Sequence, residues 1–213
     1  MRLHLNKLQI FVSGFILIIV LSGCHNYYSA STPNQSNSIA KPTFGIKTGL
    51  SLSNATIKQT DTDPRTLKTS ARTGVLGGIY LDVPLAKELI FRPEGTIVSK
   101  GARQKDSNPY YYGYSIRFTY IDFPLNILYK KDYSQGHLIV GGGPVIGIPI
   151  SDSYSGYPLK TDFGINGLIG YEFSIGFSFN LNYTYGLTNA SNDNSYISKI
   201  TNRYLGITVG YSF

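Results

Sequence analysis

Arg92 and Glu94 stand two residues apart in this chain of 213 residues, a spacing that puts both on one face of an extended strand. Lys47, Asp122 and Glu172 sit in similar alternating stretches. Such a set is open to two kinds of chemistry. Two carboxylates converging on one bond can perform acid–base hydrolysis. A mixed-sign set packed into a narrow space instead pairs off, because a charge in a low-dielectric interior needs a partner. The other chemical side chains are sparse. Of His4, His25 and His137, only His137 falls among the alternating stretches, beside a short connection, where a rim residue is expected rather than a base or ligand. Any Ser–His–acid triad would have to be built on it. Cys24 is the single cysteine, so an intrachain disulfide is excluded and thiolate metal clusters and Cys–His dyads lack material. The run "GGGP" at 141–144 has neither a following lysine nor a helical pattern, so it is no phosphate loop; glycines there relieve crowding. The expectation is a protein with no catalytic residues, no metal and no cofactor.

The elements that carry these residues are strands. "SFNLNYTYGL" (178–187) places Phe179, Leu181, Tyr183, Tyr185 and Leu187 on one face and Ser178, Asn180, Asn182, Thr184 and Gly186 on the other. Period two over ten residues is a strand. The signature recurs at 43–52, 89–98, 120–129, 162–173 and 203–213. The stretches 74–83 and 137–148 are so glycine-rich that their phase stays open. Apolar residues hold one face throughout, while Lys47, Arg92, Glu94, Asp122, Asn126, Asn166, Glu172, Asn180 and Asn182 lie on the opposite one.

Eight strands imply seven connections, and these alternate: long at 53–72, 99–115, 149–161 and 188–202, short at 84–88, 130–136 and 174–176. Long loops on one side and short turns on the other describe an eight-stranded antiparallel up-and-down transmembrane β-barrel occupying 43–213. A soluble barrel or sandwich is the plainer alternative, but it would bury its apolar faces and carry more charge outside. Here nearly all the strand charges lie on the face opposite the apolar one, which suits lipid outside and a polar interior. An even strand count puts both termini on the short-turn side. The loops "NPYYYGYS" (108–115) and "SYSGYP" (153–158) mix Tyr, Ser and Gly, a composition suited either to adaptable binding or to the headgroup layer.

The first 23 residues are basic at Arg2 and Lys7, then apolar from Ile10 to Leu21. That apolar run is shorter than the ~20 residues a spanning helix needs and reads as a secretory signal peptide. Leu21-Ser22-Gly23-Cys24 resembles the lipobox of bacterial lipoproteins, which implies acylation at Cys24. Residues 24–42, rich in Ser and Asn, read as a flexible periplasmic tether. Ordinary signal cleavage nearby, with Cys24 incidental, is the alternative. The net charge of +7 falls to +5 once Arg2 and Lys7 are removed, and the remaining basic residues are scattered. A nucleic-acid partner, which would want a basic cluster, is not expected.

The span 43–213 also resembles the outer-membrane β-barrel family of Bacteroidetes-type bacteria that includes PorT-like proteins. The resemblance is carried by "FGIKTGLSLSN" at 44–54, by "RPEGTIVSKGAR" at 92–103 before "YIDFPLNILYK" at 120–130, and by the terminal "GYSF". It implies an outer-membrane location and, for PorT-like members, a part in protein secretion. It also implies that Phe213 is the terminal residue read by the barrel-assembly machinery. The leader departs from the commoner family pattern, ending in a lipobox rather than Ala-x-Ala. The functional expectation is a small non-enzymatic barrel with a structural or interaction role, in contact with outer-membrane lipids and with an envelope protein as possible partner. An accessory subunit of a secretion machine and a lipid-modifying enzyme are the rival readings.

Overall fold

Alternation of apolar and polar residues leaves the backbone no way to hide its polar groups in lipid except by pairing every strand with a neighbour. The computed structural model describes residues 41–59, 69–104, 115–152, 160–189 and 197–213. Eight long strands form there: β1 (Thr43–Gln59), β2 (Arg72–Ala86), β3 (Leu89–Gln104), β4 (Ser115–Tyr133), β5 (Gly136–Asp152), β6 (Asp162–Phe173), β7 (Phe177–Gly186) and β8 (Ile197–Ser212). A two-residue strand, Thr69–Ser70, pairs with β3 just ahead of β2. Each strand runs antiparallel to the next in sequence, and β8 pairs with β1 from Gly45 opposite Ser212 to Gln59 opposite Ile197, closing the sheet. The fold is the closed antiparallel barrel expected.

The tight connections are Lys87–Glu88, Ser134–Gln135 and Ser174–Gly176. Gly176 takes a φ of 87°, a conformation in which glycine has no Cβ penalty. At the other end the strands run further than the alternation indicates. Strand pairing continues to Gln59, Gln104 and Asp152 and resumes at Ser115 and Ile197, inside segments read as loops. The segment read as a turn at 130–136 contracts to two residues. The reason is that apolar alternation is enforced only where lipid touches the outer face. β4 has 19 residues, whereas a tilted crossing takes about 9–11. Beyond the hydrocarbon layer, outward positions turn polar (Asn54, Thr56, Thr119, Arg117) while the hydrogen-bond ladder continues.

The structure fixes the two open phases. In β2, Leu76, Tyr80 and Asp82 are buried and Val75 and Ile79 face out; in β5, Ile139 and Val145 are buried and Leu138 and Val140 face out. The lumen holds two apolar clusters. One, toward the turns, contains Ile90, Leu128, Ile139 and Leu168. The other, toward the long loops, contains Leu76, Val98, Phe118, Tyr120 and Tyr204.

Candidate functional site in the barrel lumen

Between and beside the two apolar clusters lie the charged and amide side chains that alternation assigned to the inner face. Arg92, Glu94, Asp122, Asn126, Asn166, Glu172, Asn180 and Asn182 are all buried, and the side chain of Lys47 is nearly so. Most join one another. Lys47 is ion-paired with Glu94, which accepts a hydrogen bond from Asn126 Nδ2 at 3.1 Å. Asn166 Nδ2 donates to Asn126 Oδ1 at 3.0 Å, and Thr184 Oγ1 donates to Asn166 Oδ1 at 2.9 Å. This relay crosses the lumen through side chains of β1, β3, β4, β6 and β7. Lys47 reaches Glu94 because the residue beside it on β2 is Gly78, which has no side chain to block the way.

Three further pairs accompany it. Arg92 donates to both oxygens of Asp82, from Nε at 2.5 Å and Nη2 at 2.7 Å, and its guanidinium sits 4.4 Å from the centre of the Tyr80 ring. Lys100 Nζ donates to Asp122 Oδ1 at 2.8 Å while Tyr204 Oη donates to Oδ2 at 3.1 Å. The same ammonium lies 4.4 Å from the centre of the Tyr120 ring. Lys130 Nζ donates to Glu172 Oε1 at 2.6 Å near the turns. Asp122 and Glu172 are therefore each held by a different lysine rather than by one another, and the mixed-sign network is what the arrangement forms. Asn180 Nδ2 donates to Ser178 Oγ at 3.2 Å.

Inward glycines make room for these groups. A Cβ on Gly147 would stand 2.8 Å from Asp122 Oδ1 and 3.2 Å from Lys100 Nζ. One on Gly206 would stand 2.4 Å from Asn182 Oδ1. The glycines at 141–143 serve strand approach: a Cβ on Gly143 would stand 1.9 Å from the Leu125 carbonyl oxygen.

Sequence reasoning missed Asp82, Lys100 and Lys130, along with the rings of Tyr80, Tyr120 and Tyr204. Lys100 was legible: it continues the inward series Arg92, Glu94, Thr96, Val98. Asp82 was hidden by the open phase of β2, and Lys130 by its assignment to a turn. His137 lies at the turn end with Nδ1 2.7 Å from the exposed Asp132 carboxylate, a rim position. Among the described residues, no three His, Cys, Asp or Glu side chains are grouped to hold a metal. Phe213 closes the seam between β1 and β8: its N–H donates to the Phe44 carbonyl at 2.8 Å and its ring stacks on Phe44 with centroids 6.1 Å apart. Cys24, the signal peptide and the tether to residue 40 lie outside the described residues, as do most of the Tyr-rich stretches 108–115 and 153–158.

The outer wall complements this interior. Phe44, Ile46, Leu50, Val75, Ile79, Ile97, Ile127, Ile165, Ile169, Leu181 and Ile207 are all exposed. At the turn end an aromatic girdle runs through Tyr171, Phe173, Phe177 and Phe179 and again through Phe44, Tyr211 and Phe213. Apolar bands flanked by aromatics meet the hydrocarbon core and the headgroup layer.

Solved structures of similar shape are small outer-membrane barrels. OprG from Pseudomonas aeruginosa aligns with a TM-score of 0.55 at 14% identity, over 80% of this chain and 95% of that one. Neisserial surface protein A aligns at 0.46 and 13%, over 82% and 100%. Ail of Yersinia pestis aligns at 0.38 and 11%, over 82% and 100%. No curated protein matches the chain by sequence. The family model for the outer membrane protein β-barrel domain matches residues 34–192. With its apolar outer wall, closed sheet and polar lumen, the chain belongs to the outer membrane protein β-barrel domain family, and its place is the bacterial outer membrane.

Proposed function

We propose that this barrel neither conducts nor catalyses, and that it serves a structural or interaction role: loops presented outward, and a terminus tethered inward by lipid on Cys24. The observation that supports this reading is the pairing of lumen charges with one another between and beside two apolar clusters. Eight strands enclose a space that side chains alone can fill, whereas a water channel needs 16–18. Carboxylates held by lysine, arginine or tyrosine are spent on structure and are not poised as acid or base. The resemblance of "YIDFPLNILYK" and its flanks to PorT-like proteins adds a more specific form of the same role, an accessory subunit of a secretion or envelope machine. In that form the barrel-assembly machinery inserts the chain by way of Phe213, and an envelope protein is its lasting partner, recoverable by crosslinking in native envelopes. The test of the non-conducting reading is electrical. Verified monomer reconstituted in planar bilayers gives no steady conductance of porin size; a reproducible large open channel would overturn the proposal and make a transporter the better reading.

A further inference from the structure

Charge is unevenly placed around the loop end of the outer wall. On β3 the outward series passes from Ile97 through Ser99 to Arg103; on β4 from Ile121 through Thr119 to Arg117; on β8 from Ile207 through Leu205 to Arg203. All three arginines are exposed. The register sets Arg117 opposite Gly101 and Arg103 opposite Ser115, which makes Arg103 and Arg117 diagonal neighbours on adjacent strands. Arg72, in the inward phase of β2 opposite the buried Ser53, stands behind this stretch of rim, and its Nη1 is buried without a hydrogen-bond partner. Among the described residues none of the four is ion-paired with a carboxylate. The facing part of the rim, on β5 and β6 and just past β7, presents outward Ile150, Phe163 and Leu187, with Lys160 exposed just ahead of β6.

Among the described residues Arg103 and Arg117 bring like charges together with no carboxylate between them, an arrangement that a bound anion would complete. What covers it follows from the wall below. Arg203 lies two residues past outward Leu205, Arg117 four past Ile121 and Arg103 six past Ile97, on the headgroup side of the apolar band. There an outward arginine is tolerated, whereas at the midplane it is strongly disfavoured. The guanidinium fork matches phosphate oxygens two at a time. We propose that Arg103 and Arg117 bind the phosphate of an outer-leaflet lipid headgroup, with Arg203 further round the same rim, beyond β1 and β2. The leaflet assignment rests on the orientation read above, in which the ends opposite the short turns face outward.

The test uses the full barrel in phosphatidylcholine vesicles doped either with phosphatidic acid or with diacylglycerol of the same chains, followed by native mass spectrometry of lipid retained on the protein. Wild type retains phosphatidic acid over diacylglycerol. Arg103→Gln loses roughly fivefold of that preference, and adding Arg117→Gln roughly fivefold again, from the worth of a basic side chain at a charged surface. Arg103→Lys/Arg117→Lys, which keeps the charge but lacks the fork, falls between wild type and the double Gln variant, and Lys87→Gln at the turn end leaves the preference intact. All variants must keep the folded, heat-dependent gel mobility, as changes of exposed residues allow. Equal retention of the two lipids by wild type, or unchanged preference in the double Gln variant, would overturn the site. Displacement of the bound lipid by inorganic phosphate would overturn the lipid assignment in favour of a free-anion site. Orientation is read separately: protease added to intact cells cuts within 99–115 or 188–202 and spares 130–136. Cleavage only at the short turns would overturn the outer-leaflet assignment while leaving the phosphate preference standing.

Discussion

Arg92 and Asp82 show how the lumen is held together. Both are almost wholly buried, joined by two hydrogen bonds and capped by the Tyr80 ring. Removing one partner leaves the other as an uncompensated buried charge, worth about 3–5 kcal/mol, whereas replacing both with apolar groups of similar volume is far milder. Arg92→Met therefore lowers the urea midpoint of unfolding in vesicles strongly, and Arg92→Met/Asp82→Leu recovers much of the loss; additive losses would show that the two do not act as a pair. The charges were legible singly but not their pairing. Asp122 and Glu172 suggested a pair of acids, yet each has its own lysine, and both lysines lay in segments read as connections. Cys24 belongs to this scale too. Its lipobox predicts that the wild type incorporates labelled fatty acid and Cys24→Ser does not, with the barrel still inserting; equal labelling of both, or of neither, would contradict acylation.

Strands were read well where lipid imposes alternation and poorly where it does not. In β7, inward Ser178, Asn180, Asn182 and Thr184 alternate with outward Phe179, Leu181, Tyr183 and Tyr185 as the sequence indicates. In β2 and β5 the adjacent glycines at 77–78 and 141–143 contribute no side chain to mark a face, so the phase waited for the cross-strand register. Past the hydrocarbon layer the outward residues of β1, β3 and β4 turn polar, which concealed the strand extensions behind the pattern of loops. The same dependence on lipid gives a prediction. Leu50 on β1 faces outward opposite Ile207 and Val75, in the middle of the apolar band. Leu50→Arg there costs about 2–4 kcal/mol of stability in vesicles, seen as a lower urea midpoint by circular dichroism. Thr201→Arg, beyond the band on β8, leaves the midpoint nearly unchanged. Equal effects would mean that the apolar face does not meet lipid.

The whole molecule joins an apolar wall to a lumen filled in layers. Ion pairs and amides are interleaved with an apolar cluster near the turns and another near the loops. The barrel, with tight turns at one end and longer connections at the other, was legible from the alternating lengths of the connections. The filling was not, since which inward groups meet depends on cross-strand register that no single strand reveals. That filling can be probed at Thr96, buried at the centre of β3 opposite Asp122, with an Oγ1 that has no hydrogen-bond partner, so its change to cysteine disturbs little. In a Cys24→Ser background, Thr96→Cys and Gln135→Cys, the latter at an exposed turn, are treated in vesicles permeable to a charged, water-soluble maleimide. The lumen described here predicts rapid labelling at 135 and none at 96 until the protein is unfolded; labelling at 96 as fast as at 135 would contradict a filled barrel.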